Sequence, residues 1–121
     1  MPRAVRPPPK PGKDLVAASA TPLLLAILNK GPSYGYAIIQ AVRDLSCGAL
    51  EWSEGMLYPV LHRLEDQGLI ESYEQSGETG RKRRYYHITR KGRAALAEKV
   101  QSWTELCQAV NRILEKSDGQ A

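Results

Sequence analysis

Residues 53–92, SEGMLYPVLHRLEDQGLIESYEQSGETGRKRRYYHITRKG, leave few ways to fold. Ser53 can cap a helix, and Leu57, Val60, Leu61 and Leu64 then recur on one helical face. Gly68 stands where a left-handed C-terminal cap is wanted. Residues 69–73 read as a strand, residues 75–80 as a turn-rich tip, and residues 83–88 as the returning strand. Thr89 then caps a long final helix. Helix, hairpin, helix is the local order.

Charge is uneven along this stretch. Between Arg81 and Arg93 there are seven basic residues (Arg81, Lys82, Arg83, Arg84, Arg90, Lys91, Arg93) and no acid. A hairpin carrying cations beside a helix with a polar outer face suits a nucleic-acid duplex. The helix can enter the major groove while the hairpin neutralises phosphates. A solvated loop is the plainer reading of such a charge run.

The remaining chain is short. At 121 residues with 42% hydrophobic content, one domain with a modest core is expected, one that a second subunit would usefully enlarge. Residues 1–13 hold five prolines and four cations, and read as a disordered tail, as do residues 117–121. No apolar run is long enough for a bilayer and none reads as a signal peptide, so no membrane partner is expected. The two cysteines lie sixty positions apart and suggest no disulfide framework, which fits a reducing cytoplasm.

Thr21 and Pro22 look like a cap and a first-turn proline ahead of the apolar residues 23–28; alternatively the helix starts near Asp14 and Pro22 bends it. Ser33 is the expected cap of the next helix, with Ile38, Val42 and Leu45 on its core face. Three helices followed by a hairpin is the order of a winged helix-turn-helix, expected over residues 14–88. The fold class is therefore mainly α with a small β-hairpin, completed by a long C-terminal dimerisation helix over residues 89–116.

That last helix carries Leu96, Val100, Trp103, Cys107, Val110 and Leu114 at steps of 4, 3, 4, 3 and 4, widened by Leu106 and Ile113. This is a 3.5-residue repeat, the pattern of helices that pack along one another. The simplest partner is a second copy, with Leu24 and Leu28 of the first helix joining the interface. Docking back on that first helix would explain only part of the stripe.

Four segments carry a family resemblance. Residues 31–36 (GPSYGY), 55–65 (GMLYPVLHRLE), 68–72 (GLIES) and 80–92 (GRKRRYYHITRKG) resemble, in order and spacing, the PadR family of bacterial transcriptional regulators. The similarity covers roughly residues 15–115, and the single C-terminal helix resembles the short, multidrug-sensing branch. The resemblance implies a homodimeric repressor on palindromic double-stranded operator DNA, released by a small molecule. It also implies that a planar aromatic or cationic ligand lies at the dimer interface between two copies of a tryptophan, and Trp103 matches that position. The chain departs from the family in having no phenylalanine and in its Pro-rich basic tail.

Roles follow residue by residue. Ser53, Glu54, Tyr58, Pro59, His62 and Arg63 lie off the apolar face of the central helix and are base-edge or phosphate candidates. A core or interface ring is the plainer role of Tyr58. Ser33 and Tyr34 begin the preceding helix, where a hydroxyl could reach a phosphate; Tyr36 fits the same role or core packing. Alternation places Arg81 and Arg83 on one face of the wing and Lys82 and Arg84 on the other, so two or three of the four are expected at DNA. Trp103 can stack on a flat ligand, with Ala95, Lys99 and Cys107 as neighbours at helical spacing; plain interface packing would equally explain it. No metal site, cofactor or nucleophile–base pair is legible, so an enzyme is not expected. Two other functions remain open: a winged-helix protein-interaction adaptor, which has no need of the four wing cations, and a redox- or metal-responsive repressor, which would need Cys107.

Overall fold

The computed structural model describes residues 12–119, so nearly all of the expected N-terminal tail and the last two residues lie outside the described residues. The elements run α1 (Lys13–Asn29), β1 (Ser33–Tyr34), α2 (Gly35–Leu45), α3 (Glu54–Asp66), β2 (Ile70–Ser76), β3 (Lys82–Ile88) and α4 (Arg90–Gly119). The chain is thus mainly α with a small antiparallel sheet ordered β1-β3-β2. The hairpin registers Ile70 with Ile88 and Ser76 with Lys82, and β1 adds Ser33 opposite Tyr86 and Tyr34 opposite Tyr85.

α1 is apolar on nearly all sides because it occupies the centre, touching α2, α3, α4 and β3. Its Leu24, Leu25 and Leu28 are fully buried with Ile38 and Val42 of α2, Leu57, Leu61 and Leu64 of α3, and Ile70, Tyr86 and Ile88 of the sheet. Each such leucine contributes about 1.5–3 kcal/mol through burial. Leu24 and Leu28, expected at a subunit interface, are therefore spent on the protomer's own core.

Four local expectations change. α1 is one helix with Pro22 inside it, so Thr21 is no cap. Tyr34 rather than Ser33 is the N-cap residue of α2, because pairing with β3 holds both residues extended in β1 and the helix starts only at Gly35. Leu45, expected on the core face, is exposed at the last residue of α2, although Val42 one turn earlier is buried. α4 reaches Gly119, beyond the expected end at 116.

The turn between α3 and β2 forms as expected: Gly68 adopts φ 75°, and Leu69 N–H returns to the Leu64 carbonyl at 2.9 Å. No helix among the described residues is long and apolar enough to cross a membrane.

Candidate nucleic-acid interface

α3 is defined by its ends and its buried side. Ser53 Oγ accepts from Met56 N–H at 3.2 Å, so this hydroxyl is engaged in capping, and Glu54 places a carboxylate in the first turn. Leu57, Val60, Leu61 and Leu64 face the core, which turns Tyr58, Pro59 and His62 outward. The flanks of α3 are occupied. Arg63 donates through Nη2 to Thr21 Oγ1 of α1 at 2.9 Å. On the opposite flank the Tyr58 hydroxyl lies against the backbone of Gly35, the first residue of α2. Tyr58 is half-exposed, neither a core ring nor fully free.

The hairpin supplies the cations. Its tip is closed by hydrogen bonds from Gly77 N–H to the Arg81 carbonyl (2.8 Å) and from Gly80 N–H to the Gly77 carbonyl (2.9 Å). Arg81 and Lys82 are exposed beside that tip. Arg83 and Arg84 fall on opposite faces of β3, as alternation requires. The Arg83 guanidinium stands 4.4 Å from the centre of the Tyr34 ring, a cation–π contact. Arg84 Nη1 donates to Ser72 Oγ at 2.9 Å, and Ser72 Oγ donates to Glu65 Oε2 at 2.6 Å. Neither Ser72 nor Glu65 was singled out from sequence; the period of β2, which puts Ser72 on the same face as Ile70, is the signal that could have found them.

Beneath Arg83 the outer sheet face is aromatic. Tyr34 meets Tyr85 edge-on at 5.3 Å, Tyr85 stacks with Tyr73 at 5.8 Å, and Tyr73 lies 5.9 Å from His87. Strand alternation divides the tyrosine pair, Tyr86 inward and Tyr85 outward. Burial raises the Tyr86 phenol above the ordinary value of 10.0, while the Arg84 charge lowers it and Glu65 and Tyr58 add to the rise.

The second candidate region lies between α1 and α4. A cavity of about 430 Å³ is lined by Leu15, Ser19, Pro22, Leu23, Ala26, Leu50, Val100, Trp103 and Thr104. Trp103 and Pro22 also border a groove containing Lys99, Glu98 and Leu106. Ala95 packs toward the core with Leu96 and, like the half-buried Cys107, does not line either space. The α1 residues of the cavity carry no motif that sequence could have flagged. Past Trp103, the apolar residues Leu106, Val110, Ile113 and Leu114 are exposed. No group of three or more His, Cys, Asp or Glu side chains suited to a metal occurs among the described residues.

Comparison with known proteins agrees with this architecture. The transcriptional regulator Rv3488 of Mycobacterium tuberculosis is 47% identical over 68 residues, covering 56% of this chain and 63% of that protein. A transcriptional regulator structure from Clostridium thermocellum superposes with a TM-score of 0.77 at 30% identity, covering 84% of this chain and 96% of that one. A PadR family transcriptional regulator from Eggerthella lenta gives 0.74 at 33% identity, covering 84% and 87%. The model of the PadR-like transcriptional regulator family matches residues 24–98, and the chain belongs to that family.

Proposed function

We propose that the protein is a homodimeric repressor that binds palindromic operator DNA and is released by a planar aromatic or cationic small molecule. The observation that carries this reading is the joining of α3 to the basic hairpin in one unit. α3 turns Tyr58, Pro59 and His62 outward, and Arg81 and Lys82 stand at the tip of the hairpin clasped to it. In this reading residues 14–88 form the DNA-binding unit, α3 enters the major groove and the tip reaches the neighbouring backbone. Ser33, Tyr34 and Arg83 cluster near the start of α2, where no side chain caps the helix and a phosphate is electrostatically favoured.

Dimerisation is supported by length and exposure. α4 spans roughly 45 Å against roughly 25 Å for α1, at 1.5 Å per residue. The exposed stripe from Val100 to Leu114 is therefore longer than its own protomer can cover, and a second copy covers it. Residues 89–116 serve as the dimerisation helix, without Leu24 and Leu28. Trp103 would form a wall of the ligand space in each protomer. Ligand binding changes the separation of the two α3 helices only insofar as it prefers one arrangement.

The start of α4 supplies the linkage. Lys91 Nζ donates to the Gln67 carbonyl at 2.9 Å and Thr89 Oγ1 to the Gly68 carbonyl at 2.7 Å, so movement of α4 is passed to the end of α3. Duplexes enriched by the protein from a random pool are expected to carry an inverted repeat with half-sites about one helical turn apart. Enrichment of a single unrepeated site would reject the dimeric reading. A planar aromatic cation is expected to displace such a duplex from the native chain and not from Trp103→Ala.

A further inference from the structure

We propose that Glu65 and Ser72 are positioning residues for DNA recognition: acting through Arg84, they fix the angle of the basic hairpin against α3 without touching DNA. The proposal rests on the reading of the hairpin as a DNA-binding wing. β1 pairs with β3 only at Tyr85 and Tyr86, so the hairpin beyond them is a two-stranded ribbon. Such ribbons twist strongly and have little stability of their own. The direction of this one is set where it leaves the body, and two clasps stand there on opposite faces. One is the Arg83 guanidinium over Tyr34. The other is the chain from Arg84 Nη1 to Ser72 Oγ (2.9 Å) and from Ser72 Oγ to Glu65 Oε2 (2.6 Å).

Only the second clasp reaches α3. Glu65 lies on the same helix as His62, so the carboxylate ties the hairpin directly to the element that would read bases. The chain is charged at both ends, a carboxylate acceptor and a guanidinium donor, which makes both hydrogen bonds short and directional. The Ser72 hydroxyl accepts one and donates the other, so its removal opens the whole chain. The lever arm is long. From Ser72 to the tip at Gly77 is five residues, roughly 17 Å at strand rise, and a 20° swing would move the tip by roughly 6 Å. That is about the width of the minor groove. Loosening the clasp therefore takes Arg81 and Lys82 off their phosphates while α3 keeps its place.

The test uses the full chain and a duplex enriched by the native protein from a random pool, read by hydroxyl-radical footprinting and by the salt dependence of affinity. Arg81→Ala/Lys82→Ala is expected to lose protection at the flanks of the site and to make the log–log salt slope shallower by about 1.8, two phosphates at about 0.9 each. Ser72→Ala is expected to reproduce the flank loss and a slope shallower by about one to two, with central protection retained. Glu65→Ala gives the same footprint, and Ser72→Thr restores the native one. If Ser72→Ala and Glu65→Ala match the native protein while Arg81→Ala/Lys82→Ala does not, the proposal is overturned and the wing survives. Uniform loss of flank and centre together also overturns it, since the chain would then merely stabilise α3. Unchanged binding by Arg81→Ala/Lys82→Ala removes the wing reading and the proposal with it.

Discussion

Gly92 lies so close to the Leu69 carbonyl that a Cβ would run into that oxygen and come within 2.7 Å of Ile88 Cγ1. The same carbonyl accepts from Thr89 N–H at 3.0 Å, and Gly92 N–H donates to Thr89 Oγ1 at 3.0 Å. The first turn of α4 is thereby seated on the turn that follows α3. Backbone cannot yield as a side-chain tip can. Gly92→Ala is expected to cost about 3 kcal/mol, the upper range for overpacking, read as a lowered urea midpoint. An unfolding free energy within about 0.5 kcal/mol of native, on the order of a neutral surface change, would show that α4 can lift off this turn.

The two tryptophans report different environments. Trp52 is 4% exposed and its indole N–H has no hydrogen-bond partner, whereas Trp103 is 40% exposed. Trp103→Phe is expected to leave blue-shifted emission that iodide barely quenches, and Trp52→Phe to leave red-shifted, quenchable emission. On the dimeric reading, iodide quenching of Trp52→Phe increases as the protein is diluted through its dissociation range. Concentration-independent quenching would argue against a partner over Trp103.

Much of this arrangement is legible from residue spacing. The Ser53 cap, the apolar face from Leu57 to Leu64 and the Gly68 stop are local signals, and each forms where the pattern puts it. Leu24 and Leu28 mislead because a helix apolar all round looks the same whether a core or a partner surrounds it. Ser33 misleads because strand pairing with β3, a contact across more than fifty residues, outcompetes a local cap. The Arg84–Ser72–Glu65 chain spans only 12 and 7 residues but crosses three elements, and the α1 wall of the Trp103 cavity is far from Trp103 in sequence. Both exist only once separate elements have been packed together.

Tyr86 makes stability sensitive to alkali. Burial holds its phenol neutral in the folded state beyond the ordinary value of 10.0, against the lowering effect of Arg84. Below pH 10 the residue is neutral in both states and its contribution is fully present. As pH rises past 10 the unfolded chain ionises first, and the contribution is lost until the raised folded value is passed. Urea midpoints are expected to fall above pH 10 and to fall less in Tyr86→Phe. Parallel curves for the two proteins would assign the alkaline loss to other groups.

Pro59 lies inside α3, where its nitrogen has no proton for the Gly55 carbonyl. Its side chain is on the outward face and packs into no core. Pro59→Ala restores the hydrogen bond and is expected to raise stability by about 1–3 kcal/mol. On the DNA-binding reading it also removes an apolar surface suited to a thymine methyl, so affinity falls as stability rises. A variant both more stable and equally tight on DNA would take Pro59 out of the interface.

Gly35 and Tyr58 couple α2 to the exposed face of α3. A Cβ at position 35 would lie 2.5 Å from the Tyr58 hydroxyl and 3.1 Å from the ring carbon bearing it. Gly35→Ala therefore displaces the tyrosine, which can turn toward solvent because it is half-exposed. The folding cost is expected to be about 1 kcal/mol, the scale of an off-rotamer side chain. DNA affinity is expected to fall roughly tenfold, as for one lost base or phosphate contact. Tyr58→Phe removes the atom that collides, so adding it to Gly35→Ala should recover most of the stability while leaving DNA binding weak. A double-mutant cycle measures this directly: a coupling near 1 kcal/mol in stability is expected on the scale of contacting residues. Additive stability effects would mean that the glycine and the ring act separately, and that Tyr58 owes its position to something other than the start of α2.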